Sequence, residues 1–209
     1  MRCTAQADDS KEEFMKTTTQ KRISTETLVS GALLTALVVI LQMMGAFIRF
    51  GPFSISLVLI PIVIGAAICG PKISTWLGLV FGIVVLITDA GAFLAISIPG
   101  TIVTVLVKGM ACGLVAGLVY KLLAKKNMYI AIVAAAIACP LVNTGVFLLG
   151  CLLFFFETIK EWGLGLGFEN VMQYMFLGLV GGNFLFELAS NIVFSPIIVR
   201  ILNIIKKKA

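Results

Sequence analysis

The sequence contains no histidine. Its absence excludes Ser-His and Cys-His catalysis, the HExxH zinc motif and any imidazole proton relay. The GxxxxGK[ST] loop that binds nucleotide phosphates and the GxSxG turn of serine hydrolases are also missing. The five cysteines form no CxxC pair and no spacing typical of a secreted disulfide framework. We therefore expect no enzyme, no metal site and no cofactor.

Charged side chains are scarce as well. They make up 12% of the 209 residues, against about 25% in an average soluble domain. Hydrophobic residues account for 60%, and the mean hydropathy is +1.10. A chain of this size cannot hide so much apolar surface from water, so its solvent must be a lipid bilayer. We expect an integral protein of the cell membrane, with no nucleic acid as partner.

Six apolar runs suggest an all-α bundle of six transmembrane helices. They lie at about residues 27–48, 54–70, 73–89, 99–123, 128–156 and 171–203. The second and third have about 17 residues each, the short limit for crossing a hydrocarbon core of ~30 Å. A hairpin that does not cross is the alternative for these two, but the charges at their ends favour two crossings.

A polar tail over residues 1–26 precedes this membrane domain, which we expect to cover residues 27–205. The tail has no basic segment directly before a short apolar stretch, so it does not resemble a secretory signal. Met15 begins a segment that looks like a natural start. We interpret residues 1–14 as an upstream extension or a mis-called start.

The distribution of basic residues predicts the orientation. With a cytoplasmic N-terminus, one face receives Lys16, Lys21, Arg22, Lys72, Lys121, Lys125, Lys126, Arg200, Lys206, Lys207 and Lys208. The opposite face keeps Arg49 and Lys160 among the acidic residues Asp89, Glu157, Glu161 and Glu169. Because basic loops stay in the cytoplasm, both termini are expected there.

Polar residues inside the apolar runs are the candidates for a site. Lys108 is the single charge in residues 100–120, and a charge near a helix centre costs at least ~2.5–3.5 kcal/mol. Glu187 in the sixth run reaches an overlapping depth, so it could neutralise Lys108. Asn183, Glu187 and Asn191 are spaced by four and share one helix face. Asn143 lies near the middle of the fifth run.

These residues have two interpretations. A structural Lys108–Glu187 pair could fix helix packing. Alternatively, Lys108 meets a carboxylate, phosphate or carbonyl group of a ligand, with the three asparagines forming hydrogen bonds. We favour the ligand, because three amides beside one ion pair exceed what packing requires. Arg49, in the first outer loop, contacts either the ligand or lipid headgroups, and Asp89 is best interpreted as a marker of the membrane surface.

The first run carries small residues four apart, Gly31 with Thr35 and Ala32 with Ala36, which allow another helix to approach closely. With the six short spans, both termini inside and the stretch "FSISLVLIPIVIGAAICGPKISTWLGLVFGIVVLI", the chain resembles the S component of energy-coupling factor (ECF) vitamin transporters. The resemblance covers residues 16–208. In it, Ala32 and Ala36 match the AxxxA motif of the first helix.

The resemblance implies a function beyond what composition indicates. S components capture a vitamin or related micronutrient near the outer face, mainly with spans four to six. They associate through the first-helix alanines with a membrane coupling protein and two cytoplasmic ATPases, which supply the energy. Pantothenate or another B-vitamin would suit Lys108.

Three other functions compete with this one. A stand-alone secondary carrier would use Glu187 as a proton or cation site. A membrane enzyme is disfavoured, because the chain has no histidine and no nucleophile motif. A structural subunit without a ligand would lose stability but no uptake when Lys108 or Glu187 is replaced.

Overall fold

The computed structural model describes the backbone of residues 25–45, 49–50, 53–54 and 57–208. The expected polar tail lies almost wholly outside the described residues. The side chains of residues 49–50, 53–54 and 205–208 also fall outside the described part.

Long apolar helices dominate the described chain. In order, the elements are α1 (Thr25–Gly45), β1 (Arg49–Phe50), β2 (Phe53–Ser54), α2 (Leu59–Ile68), α3 (Pro71–Thr88), α4 (Gly91–Leu94), α5 (Ile98–Leu123), α6 (Met128–Phe154), α7 (Phe156–Gly165), α8 (Val171–Gln173), a π-helical segment (Tyr174–Leu179) and α9 (Gly181–Lys208). Helices α1, α3, α5, α6 and α9 are long and apolar enough to cross a membrane, and α2 is a shorter apolar helix. The predicted all-α membrane bundle of about six helices is confirmed.

Helix α2 is shorter than the run expected over residues 54–70. It has 10 residues and so extends ~15 Å, about half of a hydrocarbon core of ~30 Å. Strands β1 and β2 precede it and pair antiparallel, with Arg49 opposite Ser54. Backbone groups in this stretch therefore bond between two strands instead of within a longer helix.

The sixth apolar run, expected as one helix over residues 171–203, is interrupted near its start. The Val180 N–H donates to the carbonyl of Met175, five residues earlier, which is the wide hydrogen bond of a π-helix. A Cβ atom on Gly181 would lie 2.6 Å from the Phe176 carbonyl oxygen. Glycine thus permits the tight approach from which α9 restarts.

Helices α3 and α5 touch through their backbones. A Cβ atom on Gly78 would overlap the carbonyl of Gly109, and one on Gly109 would overlap the carbonyl of Gly78. One turn further along, the Ser74 hydroxyl donates to the Gly113 carbonyl at 2.8 Å. Small residues allow this contact, in which van der Waals packing takes the place of a hydrophobic driving force. The pair forms a fixed wall beside Lys108.

The buried apolar residues form two clusters. The larger joins α1, α2, α3, α5, α6 and α9, and the smaller is built by α4, the end of α6, α7 and the π segment. In the smaller cluster Phe93 makes edge contacts with Phe147, Phe155 and Trp162, with ring centroids 5.1–5.7 Å apart. We call these four rings the aromatic cover. Residues of both clusters line the cavity described next.

Candidate binding site

A cavity lies between α3, α5, α6 and α9, closed on one side by the aromatic cover and the π segment. It leaves about 70 Å³ for the centres of water-sized molecules, several times what one water requires. The lining residues are Gln42, Phe81, Val85, Asp89, Ala90, Phe93, Thr101, Thr104, Val105, Lys108, Asn143, Thr144, Phe147, Phe155, Leu179, Val180, Asn183 and Glu187. Four of the six residues predicted from sequence to bind a ligand are therefore brought together here.

Lys108 lies on α5, next to the glycine contact with α3. Its ammonium Nζ is 5.1 Å from the centre of the Phe147 ring and 5.6 Å from that of Phe81. Both distances allow cation–π attraction, worth ~0.5–2 kcal/mol. Among the described residues no ion pair within 4.0 Å joins Lys108 to Glu187. The two opposite charges line one cavity without forming the direct pair that sequence alone suggested.

Glu187 is 2% exposed and lies on α9. Its carboxylate accepts hydrogen bonds from the Asn183 side-chain amide at 3.1 Å and from that of Asn143 at 3.4 Å. The i to i+4 spacing on α9 brings Asn183 to it, and the packing of α6 against α9 brings Asn143. These amides give a buried carboxylate the hydrogen bonds that it would otherwise lack within the protein.

Asn191 shares the helix face of Glu187 but does not line the cavity. Its side-chain amide donates to the backbone carbonyl of Glu187 at 2.8 Å, one turn earlier. Ser195 repeats the pattern with a 2.8 Å bond to the Asn191 carbonyl. Short polar side chains often bond the preceding turn in this way. In this conformation the Asn191 amide stabilises the α9 backbone and does not contact the cavity.

Three polar oxygens on cavity-lining residues have no hydrogen-bond partner. They are Oγ1 of Thr104 and Oδ1 of Asn143 and of Asn183. Thr104 is 4% exposed and Asn143 5%. Unsatisfied buried polar groups cost roughly 1–3 kcal/mol each.

Asp89 belongs to the cavity lining, which sequence reasoning missed by interpreting it as a surface marker. Its carboxylate accepts hydrogen bonds from Gln42 at 2.7 Å and from Thr88 at 3.1 Å. Gln42 is 1% exposed although it belongs to α1. A lone glutamine in an apolar run was the signal that could have identified this connection between α1 and the end of α3.

The other predicted residues lie apart from the cavity or outside the described part. The backbone of Arg49 belongs to β1, and its side chain is outside the described residues. Ala32 and Ala36 are exposed on α1. Between them the Thr35 hydroxyl donates to the carbonyl of Gly31 at 2.7 Å, within the helix. The alanine face is thus available to lipid or to another protein.

The sequence model of the family "ECF transporter, substrate-specific component" matches residues 26–202. No curated protein and no solved structure matches the chain significantly. The family match covers the membrane bundle from α1 to α9 and agrees with the predicted resemblance. With the five membrane-length helices, it also confirms the predicted location, a multi-pass protein of the plasma membrane.

Proposed function

The chain belongs to the family of substrate-specific components of ECF transporters, and on that basis we propose that it captures a vitamin-like micronutrient at the outer face of the membrane. Components of this family bind small substrates and work with a module formed by a coupling protein and ATPases. The absence of a nucleotide-binding loop from the sequence agrees with this division of labour.

The observation that carries the proposal is the cavity with Lys108 on one wall and Glu187 on the other. Ionisable side chains inside a membrane bundle are expensive and typically mark a substrate or ion pathway. Here each is supported separately, Lys108 by aromatic rings and Glu187 by two amides. A purely structural pair would have no need of the open space between them.

The predicted orientation puts this cavity toward the outside. Its lining includes Phe93 and Asp89 from the α3–α5 connection and Phe155 from the α6–α7 junction. The charge distribution assigns both connections to the outer face. The α5–α6 turn, with Lys125 and Lys126, would then lie on the cytoplasmic side. Such a site can collect a substrate present at low concentration outside the cell.

The test is mass spectrometry of small molecules that co-purify with the detergent-solubilised protein. We expect one compound in stoichiometric amount, with a B-vitamin such as pantothenate among the candidates. The double variant Lys108→Ala/Asn143→Ala should lose it. An empty wild-type protein from vitamin-replete cells that also binds nothing from a vitamin panel would overturn the proposal. The stand-alone carrier coupled through Glu187 would then be examined by uptake without ATPases.

The exposed alanines of α1 are proposed as the contact with the coupling protein. Replacing Ala32 and Ala36 by leucine would fill the shallow surface that allows close helix approach. We expect the variant to keep its ligand but to lose co-purification with the coupling protein and ATPases by a factor of ten or more. The variant Leu33→Ala/Leu37→Ala, on neighbouring exposed positions of the same helix, is the control and should still assemble. Full assembly of the leucine variant would contradict this contact.

A further inference from the structure

The wall of the cavity around Glu187 is rich in hydrogen-bond acceptors. Its lining residues include Glu187, whose two carboxylate oxygens accept hydrogen bonds, and Asn143 and Asn183, whose amide oxygens are buried without a partner among the described residues. Glu187 and Asn143 are 2% and 5% exposed, and no protein donor in the described part of the chain reaches the two amide oxygens. Because these groups are mainly hydrogen-bond acceptors, the complementary ligand group is one that carries several N–H donors.

The orientation of the two amides follows from the chemistry of the carboxylate. Asn143 and Asn183 each turn their NH₂ group toward Glu187, whose carboxylate accepts both hydrogen bonds. Their carbonyl oxygens consequently point away from the carboxylate and have no partner. Each amide thus uses its donor group on the carboxylate and keeps an acceptor oxygen that no protein group within the described structure satisfies.

The wall around Lys108 has the opposite character. An ammonium group offers three donors and no acceptor. Phe81 and Phe147 attract its charge with their ring faces but supply no oxygen. With no ion pair to Glu187 among the described residues, Lys108 retains donors for an acid group of a ligand. Aromatic rings line the space between the two walls.

We infer that the substrate is a bipolar molecule: a protonated amine or similar N–H-rich cation binds at Glu187, Asn143 and Asn183, and a carboxylate or phosphate of the same molecule binds at Lys108. A flat or apolar body lies between them against the phenylalanine rings. The inference rests on the proposed function and narrows its substrate class. Pantothenate, an acid without a basic nitrogen, would satisfy only the Lys108 wall.

The experiment uses the full-length protein in detergent, freed of endogenous ligand. The probe is the fraction of yeast extract below about 1 kDa, separated at acidic pH on a cation-exchange resin. Compounds with a basic nitrogen are retained, and acids such as pantothenate flow through. Each pool is incubated with the protein, and bound compounds are identified by mass spectrometry. We expect a ligand from the retained pool that also carries an acid group.

Two further measurements test the role of the basic nitrogen. Acetylating that nitrogen should lower the affinity for wild-type protein by at least tenfold, whether or not any variant folds. Glu187→Gln should weaken binding of the unmodified compound to a similar degree. Asn191→Ala, a neighbour on the same helix that does not line the cavity, is the matched control and should bind normally.

The outcomes separate the two proposals. A ligand from the flow-through pool, pantothenate included, would overturn the bipolar substrate and leave the capture function intact. Undiminished binding of the acetylated compound would do the same. Binding that disappears when sodium is replaced by choline would assign the acceptor wall to an alkali cation, again against the inference. Capture of nothing from either pool would overturn both proposals.

Discussion

Two charged residues of the cavity, Lys108 and Glu187, lie on helices that are packed very differently. Lys108 lies on α5, whose backbone contacts that of α3 at Gly78 and Gly109. Glu187 lies on α9, which restarts at Gly181 after a π segment. In the most apolar stretch of α5, 39% of the residues are buried within the protein, against 28% in α9. The α5 wall is thus held by backbone contacts with α3. The α9 wall begins directly after an irregular π-helical turn.

This difference indicates separate tasks for the two walls. Close backbone packing restricts the relative movement of two helices, because interiors at native density transmit strain. Short π-helical turns, by contrast, frequently occur at functional sites. We expect the α5 wall to hold a constant position and the α9 wall with the aromatic cover to adjust when substrate enters.

The largest effect is expected from adding a side chain to the backbone contact between α3 and α5. In Gly78→Val a side chain would overlap the Gly109 carbonyl, and no rotamer change can relieve a clash with backbone. The helices would have to separate, so we expect no monodisperse protein in size-exclusion chromatography after detergent extraction. Gly145→Val is the control, because a Cβ atom at Gly145 meets nothing within 4 Å. A normally folded Gly78→Val protein would refute the fixed wall.

An intermediate effect is expected from the aromatic cover. Phe93→Ala removes the ring that contacts Phe147, Phe155 and Trp162. Truncating a core aromatic side chain costs ~3–5 kcal/mol, so the thermal unfolding temperature should fall while the protein still folds. Phe176→Ala provides the comparison, because Phe176 is 59% exposed. Equal unfolding temperatures for the two variants would show that the aromatic cover does not stabilise the protein.

The smallest effect distinguishes two asparagines on α9. Asn183→Ala removes a donor to Glu187 and an acceptor of the cavity, so we expect ligand affinity to fall by about tenfold, or ~1.4 kcal/mol. Asn191→Ala removes a bond to the helix backbone, so it should cost ~1 kcal/mol of stability with affinity nearly unchanged. Calorimetric titration with the co-purified compound and thermal unfolding measure the two quantities. Loss of affinity in Asn191→Ala alone would reverse the assignment.

Much of the bundle could be predicted from sequence because a bilayer imposes a length and a polarity on each helix. The same constraint makes a lysine or glutamate in an apolar run conspicuous, which is why Lys108, Asn143, Asn183 and Glu187 were identified together. Periodicity places residues on a helix face but does not determine what each side chain bonds. The hydrogen bond from Asn191 to its own helix backbone therefore could not be predicted from the sequence.

Irregular backbone and long-range contacts were out of reach for a different reason. Helix α2 is short, and a π turn precedes Gly181, because of the hydrogen bonds that the backbone N–H groups form there. Hydropathy does not predict which carbonyl each N–H group bonds. The bond from Gln42 to Asp89 joins residues far apart in sequence. The glutamine is conspicuous in an apolar run, but the sequence alone does not specify which residue it bonds.

The backbone contact between α3 and α5 has a kinetic consequence. A wall of constant shape offers the same contacts to every molecule that enters the cavity. We therefore expect this wall to determine the residence time of the substrate. We expect the rates of entry and exit to depend on the side that contains the π segment and the aromatic cover. Substitutions there should change association and dissociation rates together, whereas substitutions at Lys108 should act on residence time alone.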